Sequence, residues 1–402
     1  MQEHNISKGN FEQCLKCNIC TQVCPMFEVN PHYPGPKQAG PDGERYRIKD
    51  PAFFDLTLKY CLNCKNCEVA CPSGVKVGDI IQIARLKYGK QSNPLRDRML
   101  ASTDLMGSVA SAFAPIANPV LSSGPAKRAL ELFGVDHRRT FPEYSGEKFE
   151  NWFRKNAAPV QDRFKERVAY FHGCYVNYNF PQLGKDFVKV MNACGYGVSL
   201  LEKERCCGVA LISNGFGEQA TVQAMQNVNS IRKAGVPVLT TSSTCTFTIR
   251  DEYRNVLGLD CEDMGSKVEL AVKWIYEKIA SGSIKLRFNP DFHLKVVYHT
   301  ACHMQKLGWA IFSQELLKMI PGVELTVPQQ HCCGIAGTFG FKKENYEYSQ
   351  AIGQPLFETL KASGAEVVAT DCETCKWQIE SGTGLTVLNP ISILAMALLP
   401  LE

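Results

Sequence analysis

Cysteines carry most of the chemistry open to this chain. Two runs repeat one spacing: Cys14-x2-Cys17-x2-Cys20-x3-Cys24-Pro25 and Cys61-x2-Cys64-x2-Cys67-x3-Cys71-Pro72. Three thiolates spaced by two residues wrap one corner of a four-iron cubane, and the fourth of each run, set before proline, reaches across to the other cluster. The spacing assigns one [4Fe-4S] cluster to Cys14, Cys17, Cys20 and Cys71, and a second to Cys61, Cys64, Cys67 and Cys24. Structural zinc also takes Cys-x2-Cys, but it needs neither a third cysteine at that spacing nor a fourth before proline. Two adjacent cubanes have one obvious use, passing single electrons. No iron is left open for substrate in this assignment. Metal binding and folding of the block are then coupled.

A different pattern occurs twice further on. Cys174 is followed by Cys206-Cys207-Gly208 and then Ser242-x2-Cys245; Cys302 is followed by Cys332-Cys333-Gly334 and then Cys372-x2-Cys375. The second copy offers five thiolates, more than one zinc ion or one cubane requires. The first has Ser242 where the last pair should begin, which leaves four: enough for a cubane or a zinc ion, with no metal as the third reading. The glycine after each pair would let the backbone approach a cluster closely. Cys194 and Cys261 lie outside the pattern and read as packing thiols. His172, His299, His303 and His331 adjoin motif cysteines. They are expected to hydrogen-bond cluster sulfurs or backbone and so tune potential, with ligation or a proton relay as the sharper alternative. Asp371 and Glu373, flanking Cys372, read as turn residues or as carboxylates placed for proton transfer.

The rest of the chain must position these groups. Its 402 residues suggest two or three domains, and 45% hydrophobic with 21% charged residues is ordinary for globular protein. A net charge of +4 gives no case for nucleic acid. Nineteen cysteines could mean disulfides, but the first residues, MQEHNISKGNFEQ, contain no apolar leader segment. The thiols are therefore expected on metal, in or facing the cytosol. No stretch reads as a spanning helix. Residues 105–126 are uncharged, but Pro115, Pro119 and Pro125 interrupt them, so they are expected to be irregular or interfacial.

The expected organisation is α+β and multidomain: an α-helical ferredoxin-like domain over 1–95, a connector over 96–165, and a duplicated α/β cysteine-rich domain over 166–288 and 289–402. Each copy opens on a strand pattern, RVAYFHGC or LKVVYHTAC, with later strands in VPVLTTS and AEVVATD and helical patterns between. Strands alternating with helices mean parallel sheets, and cysteines after strand ends fall where such sheets place ligands. Helices are expected over 51–60 and 77–89. The polar, turn-rich 29–50 reads as a surface loop or a docking surface. The apolar tail ISILAMALLPLE reads as a core helix, with an interfacial role as its alternative.

A distant cysteine, a Cys-Cys-Gly and a closing Cys-x2-Cys resemble the cysteine-rich CCG family. Its members include the catalytic subunit of heterodisulfide reductase and the iron–sulfur subunits of respiratory dehydrogenases. Two such copies behind a two-cluster block resemble the iron–sulfur subunits of glycolate oxidase and, above all, of anaerobic glycerol-3-phosphate dehydrogenase. The stretches NPHYPGPKQAGPDGER, HGCYVNYNFPQLGKD, EKERCCGVALISNGF, TTSSTCTF and QHCCGIAGTFGFKKENY carry that resemblance. It implies a non-cubane cluster on Cys302, Cys332, Cys333, Cys372 and Cys375, with a cubane on four of them as the rival. It implies a further cluster, or zinc, on Cys174, Cys206, Cys207 and Cys245. It also implies flavin-containing dehydrogenase partners, electron delivery to a membrane quinone such as menaquinone, and peripheral attachment at the cytoplasmic face of the inner membrane. A glycolate or lactate oxidase subunit, or a heterodisulfide-reductase-like catalytic subunit, is the alternative. No loop with flavin-binding character adjoins a strand at the N-terminus, so substrate oxidation is expected of the partner and not of this chain.

Overall fold

The computed structural model describes residues 11–50, 56–89 and 92–399. The N-terminal block is helical between its cysteine turns, with α1 (Ile19–Gln22), α2 (Pro25–Val29), α3 (Gly43–Lys49), α4 (Asn66–Val69) and α5 (Val77–Tyr88). Pro25, after the fourth cysteine of the first run, opens α2, where a missing N–H costs nothing. Helix α5 falls where its apolar spacing predicts. Of the helix expected over 51–60, residues 51–55 lie outside the described residues and Leu56–Tyr60 form a 3₁₀ turn.

Segment 29–50 departs from the expected surface loop. Gln38–Asp42 form a π-helical turn that runs into α3, and Tyr33, Ala39 and Arg47 are buried. The Arg47 guanidinium donates to Glu44 Oε2 at 2.8 Å and to the Ala39 carbonyl at 2.9 Å. The polarity that suggests exposure is thus satisfied internally, as a buried charge must be.

The connector is largely helical, including 105–126, which read as irregular or interfacial: α6 (Pro94–Ala101), α7 (Thr103–Ala112), α8 (Ala114–Ser122) and α9 (Gly124–Leu132). Pro115 and Pro125 occupy the first turns of α8 and α9, where proline starts helices and does not break them. Among the described residues no single helix is long and apolar enough to cross a membrane. Helices α7 and α8 meet that test only as a pair, bent by 109°.

Two four-stranded parallel sheets follow. The first contains β1 (Glu166–Phe171), β2 (Tyr196–Leu200), β3 (Val238–Thr240) and β4 (Val268–Leu270) in the order β2-β1-β3-β4. The second contains β5 (Leu294–Tyr298), β6 (Val323–Thr326), β7 (Val367–Ala369) and β8 (Thr386–Leu388) in the order β6-β5-β7-β8. The topologies are identical, and in each the strand order reverses beside the first strand.

The copies share one core through a reciprocal exchange. Helix Pro390–Ala397, the end of the second copy, packs on helix Pro181–Ala193 of the first; helix Ala271–Ala280, the end of the first, packs on Ala310–Lys318 of the second. Ser392 Oγ donates to Asp186 at 2.6 Å, and Tyr276 meets Phe312 with ring centroids 5.7 Å apart. The tail from residue 390 to 397 is therefore a core helix and not an interfacial one. Phe339 and Ile352 of the second copy pack into the N-terminal block, so the core of that block is also shared.

Candidate metal centres

In each N-terminal run, the backbone turns inward through two left-handed residues. Lys16 and Asn18 flank Cys17 with φ of 57° and 64°, and Asn63 and Lys65 flank Cys64 with 57° and 62°. Alternating handedness aims successive N–H groups into one concavity, an arrangement that receives anionic groups including iron–sulfur clusters. Thiols from the two runs lie close enough to influence one another's ionisation. Burial, joined by the charges of Cys14, Cys17 and Cys71, pushes the Cys20 thiol up. Burial together with Cys64 and Cys61 pushes Cys24 to about 12, and Cys67 is raised by burial with Cys64, Cys61 and Cys24 among its neighbours. Burial raises Cys64 as well, so three neighbouring sulfurs of the second set resist ionisation, and such donors are what a metal charge would stabilise as thiolates. Gln82 Nε2 donates to Cys61 Sγ at 3.5 Å, a contact invisible in the cysteine pattern.

Both five-position motifs sit where the strand order of a parallel sheet reverses, the ligand position of open α/β sheets. Cys174 and Cys245 follow β1 and β3; Cys302 and Cys372 follow β5 and β7. In the second copy Cys333 Sγ lies 3.3 Å from Cys375 Sγ, and the Gly334 N–H donates to Cys332 Sγ at 3.4 Å. Hydrogen bonds from Cys332 and Cys375 hold Cys333 well below the ordinary thiol range. In the first copy Cys174 and Cys207 do the same for Cys206, and Cys245 adjoins Cys207. All four thiols of the first copy therefore meet. Cys194 and Cys261 are buried apart from both sites, pushed by burial to about 12 and about 11.

Ser242 explains the asymmetry. It has nearly the backbone of Cys372, with φ/ψ of −115°/118° against −136°/118°, and each stands at the N-cap position of the next helix. The Ser242 hydroxyl accepts from the Cys245 N–H at 3.2 Å and donates to Glu373 Oε2 at 2.9 Å. Glu373 is thus no plain turn residue: it reaches from one motif into the other, and burial raises it to about 8. Asp371 is likewise buried and accepts from Tyr298 at 2.6 Å and Ser313 at 3.0 Å.

The histidines divide. His303 lies 3.0 Å from the Asn63 carbonyl and 3.2 Å from Thr244, and His172 lies 3.0 Å from the Gly173 carbonyl with Glu204 at 3.3 Å. Both engage backbone or neighbouring side chains, as expected. His299, at the matching place in the second copy, has no carboxylate partner: its buried Nε2 has no hydrogen bond, and one of its ring nitrogens lies within 4.8 Å of the sulfurs of Cys333 and Cys375. Gly334 has a second, steric reason to be glycine. Its φ is +83°, and a Cβ there would lie 2.0 Å from the Ser349 carbonyl oxygen, so helix Tyr346–Ala362 demands the glycine.

Three of the four sites adjoin one another in space. Cys64 is near enough to Cys302 and Cys332 to raise their thiol pKa values. Thr244 Oγ1 lies 3.7 Å from Cys372 Sγ, and the Ser243 N–H donates to the Asp371 carbonyl at 2.8 Å, joining the two motif loops. A cavity of about 210 Å³ opens beside the second motif, between Val23 and Val69 of the N-terminal block and His299, Cys302 and Cys332. A buried polar cluster locks the block to both copies: Lys65 Nζ lies 2.5 Å from Asp79 and 3.4 Å from Glu252, Asn63 donates to Glu252 at 2.7 Å, and Lys306 pairs with Glu68 at 2.8 Å. On the far side, Asp104 of α7 accepts from the Cys206 N–H at 3.0 Å. Neither Lys65 nor Asp104 stands out in the sequence, because their partners are distant along the chain.

Known proteins share this layout. Residues 10–75 match the 4Fe-4S dicluster domain family, and residues 168–250 and 296–380 match the cysteine-rich domain family. The chain is 57% identical over 395 residues to the anaerobic glycerol-3-phosphate dehydrogenase C subunit of Escherichia coli K12, covering 97% of this chain and 99% of the relative. It is 27% identical to the glycolate oxidase iron–sulfur subunit of the same organism, over 96% and 93% of the two chains. It is 25% identical to the fumarate reductase (CoM/CoB) B subunit of Methanothermobacter marburgensis, over 96% and 72%. Iron–sulfur clusters are its cofactors, and the chain belongs to the family of anaerobic glycerol-3-phosphate dehydrogenase C subunits.

Proposed function

We propose that this chain is the electron-transfer subunit of a glycerol-3-phosphate dehydrogenase complex, linking a flavin-containing partner to membrane quinone, menaquinone in anaerobic respiration. The partner would oxidise glycerol 3-phosphate to dihydroxyacetone phosphate, releasing two electrons and two protons. Quinone would take up two electrons and two protons to become quinol. Bound iron–sulfur clusters supply one-electron carriage between these reactions. The residues of this chain hold, order and insulate them.

The ligand sets are Cys14, Cys17, Cys20 and Cys71; Cys61, Cys64, Cys67 and Cys24; the five cysteines of the second repeat; and Cys174, Cys206, Cys207 and Cys245. One observation carries the reading: the second, third and fourth sets adjoin one another. Cys17, in the first, is exposed and available to a partner. Cys64 of the second set adjoins Cys302 and Cys332 of the third, and Thr244 and Glu373 join the third to the fourth. The series would then end at the first CCG repeat. Attachment would be peripheral, at the cytoplasmic face.

The cavity beside Cys302 and Cys332 favours one second reading, reduction of a disulfide at that site. The test is anaerobic purification with the partner subunits. The expected result is at least about eight irons per chain, as two four-iron clusters require, and quinone reduction driven by glycerol 3-phosphate. Zinc in place of iron would sink the electron-carrier reading. Turnover with glycolate or lactate alone would move the chain to the sibling enzymes, and reduction of a disulfide without quinone would favour the second reading.

A further inference from the structure

Helices α7 and α8 are built inside out. Their small and polar residues face the protein. Gly107 sits so close to the Tyr178 ring that a Cβ would lie 2.4 Å from it; Ser108 accepts from Lys148 at 2.7 Å; and Asn118 exchanges two 2.9 Å hydrogen bonds with the backbone of Tyr144. Their large apolar residues face out: Leu105, Val109, Phe113, Ile116 and Val120 are all at least half exposed. Helix α9 adds Leu132, 89% exposed. Soluble helices bury the apolar stripe and expose the polar one.

Two features say what covers this face. The first is that the polar side chains from Leu105 to Ser122 are all spent. Ser111 donates to the Tyr178 carbonyl at 3.4 Å, Ser122 donates to its own helix, and Ser108 and Asn118 are bonded as above. A protein interface would be expected to carry a hydrogen bond for every 100–200 Å² or so, whereas this face offers hydrocarbon. The second is charge. No acidic residue lies between Asp104 and Glu131, while Lys127 and Arg128 do. The two bounding acids are occupied, Asp104 by the Cys206 N–H at 3.0 Å and Glu131 by Lys343 at 2.8 Å and His137 at 3.0 Å. An apolar face edged by unopposed cations fits the interface of an anionic bilayer. With 10 and 9 residues and a 109° bend between them, α7 and α8 are each about 15 Å long or less, too short for a hydrocarbon core of about 30 Å.

We propose that α7–α9 lie flat in the interface of an anionic phospholipid bilayer, and that this seating brings the first CCG site, tied to α7 through Asp104, next to the lipid. The surface gives the proposed delivery to quinone its location, and rests on that reading for its purpose but not for its existence.

The test is sedimentation of the anaerobic, assembled complex with vesicles of phosphatidylcholine alone or mixed equally with phosphatidylglycerol. The wild type should sediment with the anionic vesicles and much less with the neutral ones. A Phe113→Ser/Ile116→Ser variant should lose roughly a hundredfold in binding, since each buried apolar side chain is worth about a factor of ten or more. Its reduction of a water-soluble quinone analogue should be unchanged. A Lys127→Glu/Arg128→Glu variant should lose the preference for anionic vesicles. Absence of wild-type binding, or binding indifferent to these substitutions, would overturn the proposal. So would a Phe113→Ser/Ile116→Ser complex that falls apart into its subunits, because the face would then be a protein interface. Lipid binding as predicted, with no glycerol-3-phosphate-driven quinone reduction, would instead count against the function proposed above.

Discussion

Replacing Lys65 by methionine takes a fully buried cation from among three buried carboxylates. Lys65 Nζ lies 2.5 Å from Asp79, 3.4 Å from Glu252 and 3.9 Å from Glu68. Lys306 would still serve Glu68 at 2.8 Å, so Asp79 and Glu252 bear the loss. Removing one partner of a buried ion pair costs about 3–5 kcal/mol. Methionine keeps the length and the Cβ, and so carries the same left-handed backbone penalty at φ 62°; the loss isolates the charge. The pH dependence has a definite sign. Burial raises Asp79 to about 7, against the pull of Lys65. A raised carboxyl stabilises the fold below its unfolded value of about 3.9, and that contribution is lost as pH rises through 7. Without Lys65 the Asp79 value climbs further. Below about pH 6 both proteins carry the proton and their difference is smallest; above about pH 7 the variant's deficit widens by about 1.36 kcal/mol per pH unit until its own carboxyl ionises. Urea midpoints at about pH 6 and about pH 8.5, followed through cluster absorption, measure this, and Asp79→Asn in the same chain should restore part of the loss. A variant within about 1 kcal/mol of wild type at the higher pH, or a deficit that does not grow with pH, would refute the reasoning.

Cys372→Ser should alter the spectrum of the second repeat, leave the N-terminal clusters in place and stop quinone reduction by the assembled complex; unchanged reduction would take that site off the electron path. Gly334→Ala should cost well over the ~1 kcal/mol of an ordinary left-handed glycine replacement, because its Cβ would lie 2.0 Å from the Ser349 oxygen; Gly384→Ala, at φ +76° with open space around it, is the control, and equal denaturation midpoints would contradict the steric account. Gln82→Leu removes the N–H donated to Cys61 Sγ and should lower the potential of the second cluster, read by redox titration with electron paramagnetic resonance, since such hydrogen bonds stabilise the reduced state.

The parts of this molecule legible in its sequence are those whose signal is local. The crossed cysteine runs, the duplication, α5 and the strands β1, β3, β5 and β7 each announce themselves within a few residues. Strands β3, β4, β7 and β8 are all three residues long; β3 and β7 are legible because each leads into a motif cysteine, whereas β4 and β8 lead into none, and β6 is half exposed along its length. Segment 29–50 misleads because its polar residues find one another inside the fold, as Arg47 finds Glu44. The prolines of 105–126 mislead because two of them begin helices. What positions the sites was out of reach altogether: the exchange of helices 271–280 and 390–397, the Ser242–Glu373 contact and Asp104 beside Cys206 all join residues brought together only by folding.

The central claim is that this chain carries electrons from glycerol 3-phosphate to quinone. It is tested most directly by adding the substrate, without other reductant, to the anaerobic assembled complex and following the visible absorption of the clusters. The account predicts bleaching on addition of glycerol 3-phosphate and recovery when a menaquinone analogue follows. A partner flavin reduced by the substrate while the clusters of this chain stay oxidised would contradict it.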